Sequence, residues 1–224
     1  MQKFDVIIPV FNGARFIFEA IESVLVQGDA VNLIWLINDG STDSTTEILN
    51  ESREKYPKVQ VIHQTNQGVC KALNLGISKA KTEWIAFLDA DDVWESDKID
   101  AQLAAMESNP KAELVFGQME EFEDFPEGHI AGFEARIDAY AGFSRSTMLC
   151  KRSLFDDFGG FDETLKVGEF IDWFQKVRES GKESHLIQKV LAKRRIHGEN
   201  MTAKVNRQDY LTLIRRQLMK NRKD

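Results

Sequence analysis

Trp84-Ile-Ala-Phe-Leu-Asp-Ala-Asp-Asp-Val-Trp94 is a short apolar run that ends abruptly in three carboxylates, Asp89, Asp91 and Asp92. The run Trp84 to Leu88 has the length and aromatic content of a buried strand. A strand buried on both faces belongs to a parallel sheet. Ligands of such sheets lie beyond the carboxyl ends of the strands. The acids therefore emerge where a ligand would sit. Clustered carboxylates repel one another and are costly to keep ionised beside a dry core. A divalent cation relieves that cost, and Mg2+ or Mn2+ takes hard oxygen ligands it can share with phosphates. Asp-x-Asp after a buried strand reads as a metal–diphosphate site. The competing reading is an Asp-rich turn, with Asp92 as N-cap of a helix from about Glu95 to Glu107.

Outward from this run the chain alternates strand and helix. Phe4 to Val10 is a strand, closed by Pro9 and turned by Asn12-Gly13. Ala14 to Val26 carries one apolar face and is expected to be a helix. Val31 to Asn38 is a second strand, and Thr42 and Asp43 are candidate caps for a helix reaching Lys55. A third strand covers Val59 to His63, and Gly68 precedes a helix to Ala80. This spacing predicts crossover units and a Rossmann-like parallel sheet.

Beyond Glu113 the pattern loosens. Strands are expected over Leu114 to Met119, Ser146 to Cys150 and His185 to Ile196. Helical segments are expected over Arg152 to Phe158 and Glu169 to Glu179, and the acidic Glu120 to Gly128 reads as an exposed loop. The basic tail has an apolar face of Tyr210, Leu211, Leu213, Ile214 and Leu218. It reads as a closing helix packed on the domain or as a peripheral contact with an anionic membrane.

Composition bounds the function. Across 224 residues, 42% are hydrophobic and 29% charged, which is ordinary for a globular domain. A net charge of -7 argues against nucleic acid as partner. Cys70 and Cys150 lack metal-ligand spacing and suit a reducing compartment. Met1-Gln-Lys runs straight into a strand, so no leader is expected, and no apolar stretch approaches the roughly 20 residues of a membrane span. The expected location is cytoplasmic, at or near the inner face of the membrane if the tail makes that contact.

Four stretches together resemble the family 2 glycosyltransferases of GT-A fold: Ile7-Ile-Pro-Val-Phe-Asn-Gly13, Asn38-Asp-Gly-Ser-Thr-Asp43, Asn66-Gln-Gly-Val-Cys-Lys-Ala-Leu-Asn-Leu-Gly76 and Phe87-Leu-Asp-Ala-Asp-Asp92. A fifth, Leu154-Phe-Asp-Asp-Phe-Gly-Gly-Phe-Asp-Glu163, resembles the family's acceptor-side segment. The resemblance implies an α/β three-layer sandwich with a mainly parallel central sheet. It implies one domain over 1–202, with 1–112 holding a nucleotide sugar, 113–202 facing the acceptor, and 203–224 forming the basic helix.

The resemblance also implies roles. Pro9, Val10 and Phe11 would line the nucleoside pocket, Asp39 would accept from the base, and Asn66 would shape the loop over the nucleotide. Lys71 would lie near the phosphates or be a solvated helix charge. Asp91 would ligate the cation, Asp89 would contact the ribose or the cation's waters, and His197 would complete the metal site. The family's usual Glu-Asp-x-Asp pattern reads Glu169-Phe170-Ile171-Asp172 here, so the customary base is replaced by Phe170. Glu169 and Asp172 lie three apart, on neighbouring positions of one helical face, and either can serve as base. The expected activity is metal-dependent, inverting transfer from a nucleotide-diphosphate sugar, a UDP-sugar first, to the hydroxyl of a glycan, lipid-linked or peptide acceptor. The Phe170 departure keeps a second reading open, a nucleotide-sugar binding module without transferase activity.

Overall fold

Strand β1 (Phe4–Val10) is buried along its whole length and lies between β2 (Val31–Asp39) and β4 (Trp84–Phe87), both parallel to it. Strand β3 (Val59–Gln64) extends the parallel set beyond β2. The computed structural model describes residues 2–125, 135, 138–198 and 200. Alternate side chains of β1 serve two cores, as strand geometry requires. Phe4, Val6, Ile8 and Val10 pack with Ile17, Ile21 and Val24 of helix α1 (Ile17–Leu25) and with Leu49 of α2 (Thr45–Lys55). Ile7 faces the other way, toward Leu73 and Ile77 of α3 (Val69–Lys79). Gly76 permits that contact, because a Cβ there would lie 2.5 Å from Cγ2 of Ile7.

The second half adds β5 (Val93–Trp94), α4 (Lys98–Ser108), β6 (Leu114–Glu123), β7 (Tyr140–Gly142), β8 (Leu149–Lys151), α5 (Ser153–Phe158), α6 (Glu169–Glu179) and β9 (Ser184–Ile196). Among the described residues the nine strands run in the order β3-β2-β1-β4-β8-β6-β9-β5, with β7 on β6. The sheet is parallel through its first half and mixed beyond β4: β8 is antiparallel to β4 and β6, while β9 is parallel to β6. Helix α6 closes the second core with Phe170, Trp173, Phe174 and Val177, packed on Phe116 and on Phe155 and Phe161. The architecture is a three-layer α/β sandwich.

Two expectations are corrected. Glu120 to Glu123 are not an exposed loop; they continue β6 and lie in register with Lys193, Arg194, Arg195 and Ile196 of β9. Opposite charges on adjacent strands make that acidic run a good strand partner, and Glu121 pairs with Arg194 at 3.4 Å. Asp92 does not cap the next helix, which begins at Lys98 after Asp97. It is buried instead, and β5 follows it. The basic segment 203–224 lies outside the described residues, as does most of the stretch 126–137.

Lys98 is fully buried, with its ammonium over the Trp94 ring at 4.0 Å and hydrogen-bonded to Gln102 Oε1 at 2.7 Å. Burial holds its pKa well below the usual 10.5. A lysine depressed on folding binds its proton more readily in the unfolded chain, so its contribution to stability grows as pH rises from the folded value toward 10.5. Urea unfolding at stepped alkaline pH should show this rise in the wild type and a flatter profile in Lys98→Met.

Candidate functional site

The acids of the opening stretch leave β4 at its carboxyl end and meet residues from two distant segments. Each carboxylate is held differently. Asp92 accepts from Ser146 Oγ at 2.8 Å and from the Arg195 backbone N–H at 3.2 Å. Burial, and then the charges of Asp91 and Asp89, push its carboxyl well above the usual range. It is a structural acid that ties the loop to β9.

Asp91 remains about a third exposed, with Oδ2 3.1 Å from His197 Nε2. The same oxygen accepts from Asn200 Nδ2 at 3.0 Å. Burial acts to raise its pKa, yet the hydrogen bond and charge of His197, with Asn200, hold it below the usual 3.8. His197 is buried with its ring 4.5 Å from that of Phe16. Its backbone N–H donates to Asn200 Oδ1 at 2.6 Å, and Asn200 Nδ2 also reaches the Arg195 carbonyl at 3.0 Å. Asn200 thus fixes both halves of the Asp91–His197 pair.

Asp89 is turned aside. Its Oδ1 accepts from Arg145 Nη2 at 2.8 Å and from Nε at 3.3 Å, while its backbone N–H donates to Ser146 Oγ. The other end of the Arg145 guanidinium pairs with Glu169 at the start of α6. Glu169 and Asp172 are buried on one face of that helix, and Asp172 pairs with Lys176 at 2.7 Å. Phe170 is buried in the apolar cluster, stacked on Phe174 at 5.7 Å. Position 170, where the family resemblance implies a base, is core packing here.

A second group gathers where β2 ends. Both oxygens of Asp39 are engaged: Oδ1 accepts from Gln64 Nε2 at 2.7 Å and Gln67 N–H at 2.8 Å, and Oδ2 from Gly68 N–H at 2.8 Å. Asp39 therefore organises the turn into α3. Asn66 is exposed in that turn, its backbone packed on Gly40, where a Cβ would come within 2.6 Å. Lys71 lies one turn into α3 and reaches Gln67 Oε1 at 3.2 Å. Pro9 and Val10 are buried, Val10 within the core on the α1 side, and Phe11 is half-exposed just past them.

The Asp91–His197 pair suits a divalent cation shared with phosphate oxygens. Adjacent ligands around an octahedral Mg2+ lie about 3 Å apart, and the two side chains are separated by 3.1 Å. With Asp89 turned to Arg145, no three His, Cys, Asp or Glu side chains converge as a ready-made cage among the described residues. One or two protein ligands completed by substrate phosphates is the usual arrangement for Mg2+.

Sequence reading missed Arg145, Ser146 and Asn200. The first two stand in a single helical turn, Arg145–Thr147, between β7 and β8, with no periodicity to mark them. Asn200, three residues beyond His197, had the only local signal: an amide placed to accept from a backbone N–H three residues back.

Carboxylates at strand ends beyond a Rossmann-like half stand where open α/β sheets place their ligands. The chain belongs to glycosyl transferase family 2, whose sequence model matches residues 5–161. It is 27% identical to chondroitin synthase of Pasteurella multocida over 89% of its length and 21% of that relative's. It is 45% identical to an uncharacterized glycosyltransferase of Rickettsia felis over 48% of its length and 18% of the relative's. The chain thus spans about a fifth of the length of these relatives. Among solved structures, S. aureus TarS 1-349 with UDP-GlcNAc superposes at a TM-score of 0.73, with 20% identity, over 92% of this chain and 62% of that one. The mannosyltransferase PcManGT of Pyrobaculum calidifontis, solved with GDP-Man and Mn2+, gives 0.70 at 17% identity over 91% and 60%. These likenesses show the fold, which is GT-A.

Replacing Asn200 by Ala removes the acceptor of a buried N–H and one donor to Asp91. It should cost about 1–3 kcal/mol of stability. Urea unfolding of the variant should show a lower midpoint with an unchanged slope.

Proposed function

We propose that this chain transfers a sugar from a nucleotide-diphosphate donor, a UDP-sugar first, to an acceptor hydroxyl with inversion at the anomeric carbon. Family membership supports the activity class, and the inverting outcome follows the family's habit. The observation that carries the reading is the meeting of Asp91 and His197 with Asp89, Arg145 and Glu169 beyond the end of β4. Asp39 and the turn it organises, with Pro9, Val10, Phe11 and Asn66, hold the nucleoside. Val10 contributes backbone, since its side chain is in the core. Lys71 stands at the margin, one turn into α3, with its ammonium on Gln67.

Asp91 and His197 would hold Mn2+ or Mg2+. A bound cation supplies charge for the diphosphate leaving group. Asp89, about a third exposed, presents its second oxygen to the ribose or to the cation's waters. Glu169 takes the acceptor proton. Arg145 pairs with its Oε1. Asp172 is the reserve base, already paired with Lys176.

Phe170 favours one second reading. With the customary acid replaced by a core aromatic, the chain would bind a nucleotide sugar without turning it over. The proposed location is cytoplasmic, with the basic segment 203–224 either packed on the domain or in peripheral contact with an anionic membrane surface. No described helix is long and apolar enough to cross a membrane.

A thermal-stability screen of UDP- and GDP-sugars, with and without Mn2+, identifies the donor through ligand stabilisation of the folded state. Mass spectrometry of glycan acceptors incubated with that donor then reads transfer. Glu169→Gln should lower turnover by about a hundredfold or more with nucleotide affinity intact. Asp91→Asn should weaken Mn2+-dependent UDP binding. Donor binding without product in the wild type, and product after Phe170→Asp, would decide for the binding module.

A further inference from the structure

We propose that Arg145 is a positioning residue that keeps Asp89 out of the cation's ligand set until the donor diphosphate arrives, and that links this step to Glu169 through the same guanidinium. The proposal rests on the donor-site reading above. Arg145 places Nη2 and Nε on one oxygen of Asp89 and Nη1 on Glu169, and its side chain is only 13% exposed. The planar fork of arginine suits such a two-acid bridge, where a lysine could serve one acid at a time.

The segment that carries Arg145 has little slack. Ser146 Oγ bonds the Asp92 carboxylate and the Asp89 N–H, and the Ser146 carbonyl accepts from Trp94 Nε1 at 2.7 Å. The Thr147 carbonyl accepts from the buried Gln102 at 2.9 Å. The guanidinium is therefore delivered to the acidic loop from a fixed base.

Asp89 stands two residues from Asp91 and is the natural third ligand beside Asp91 and His197. Freed, it would make a set of two carboxylates and an imidazole, able to hold a cation without nucleotide. Bound to Arg145, it leaves one carboxylate and one imidazole, and cation affinity then depends on phosphate oxygens. Arg145 also adds a positive charge beside the site, which opposes a lone cation and favours a cation already neutralised by diphosphate. The consequence is ordered loading: nucleotide and cation enter together. Any turn of Asp89 toward the donor leaves the guanidinium to Glu169, so donor arrival alters the hold on the acceptor-side acid.

The test is calorimetric titration of Mn2+ alone into wild type, Arg145→Met and the double variant Arg145→Met with Asp89→Asn. Melting temperature and UDP affinity in the presence of Mn2+ serve as controls. Arg145→Met should bind Mn2+ at least about threefold more tightly than wild type. The gain should vanish in the double variant, and Arg145→Lys should fall between wild type and Arg145→Met. A merely structural role predicts the opposite sign, since a loosened loop binds the ion less well. Arg145→Gln carries the same comparison if the Met variant does not fold. Mn2+ affinity that is unchanged or weaker, with UDP–Mn2+ binding intact, overturns the proposal, as does a gain that survives Asp89→Asn. A wild type that binds no UDP with Mn2+ is a separate result: it removes the donor-site reading and this proposal with it.

Discussion

Three carboxylates within four residues, at the end of a strand with no exposed face, are an electrostatic problem that the second half of the molecule answers. Each acid receives a different answer. Asp92 is drawn inside and given a hydroxyl and a backbone N–H. Asp89 receives a guanidinium. Asp91 receives an imidazole and an amide, which hold its carboxyl below the usual carboxylate range. Like charges at this spacing would otherwise destabilise the loop or neutralise themselves. The partners come from the turn before β8 and from the end of β9 and just beyond it. Of the three, Asp91 is held by the latest-coming partners and stays about a third exposed.

What the sequence made legible follows from periodicity. Strands β1, β2 and β4 read clearly because they are largely apolar runs, and α1, α3 and α6 because their apolar residues fall on one face. Helix α6 was placed from Glu169 to Glu179 by the spacing of Phe170, Trp173, Phe174 and Val177 alone. Local composition misled where long-range pairing decides. Glu120 to Glu123 looked like a solvated loop until set against the basic end of β9. Asp92 looked like a cap because caps and buried acids share a residue type.

The partners of the acids were illegible for a related reason. Arg145 reaches Asp89 across 56 residues and Asn200 reaches Asp91 across 109. Arg145 sits in a single helical turn and Asn200 beyond the end of β9, so no periodic pattern announces either. Asp39 shows the converse. Its place at a strand end was read correctly, but its full engagement by Gln64, Gln67 and Gly68 needed the folded turn. That engagement makes it a brace for the loop as well as a candidate contact for a base.

Strand β9 has a consequence for how the protein is made. It lies between β6 and β5, pairs β5 on its far edge, and delivers His197 and Asn200 just beyond its end. Contacts of such long sequence separation are slow to form, because the loop they close must first be ordered. During synthesis β1 to β4 emerge early, while the histidine and amide that steady Asp91 emerge about a hundred residues after it. A nascent chain therefore carries an acidic, ion-attracting loop well before it has the means to discipline it. Arg145 emerges midway, ahead of His197 and Asn200, as the first of these acids' long-range partners to carry a fixed positive charge.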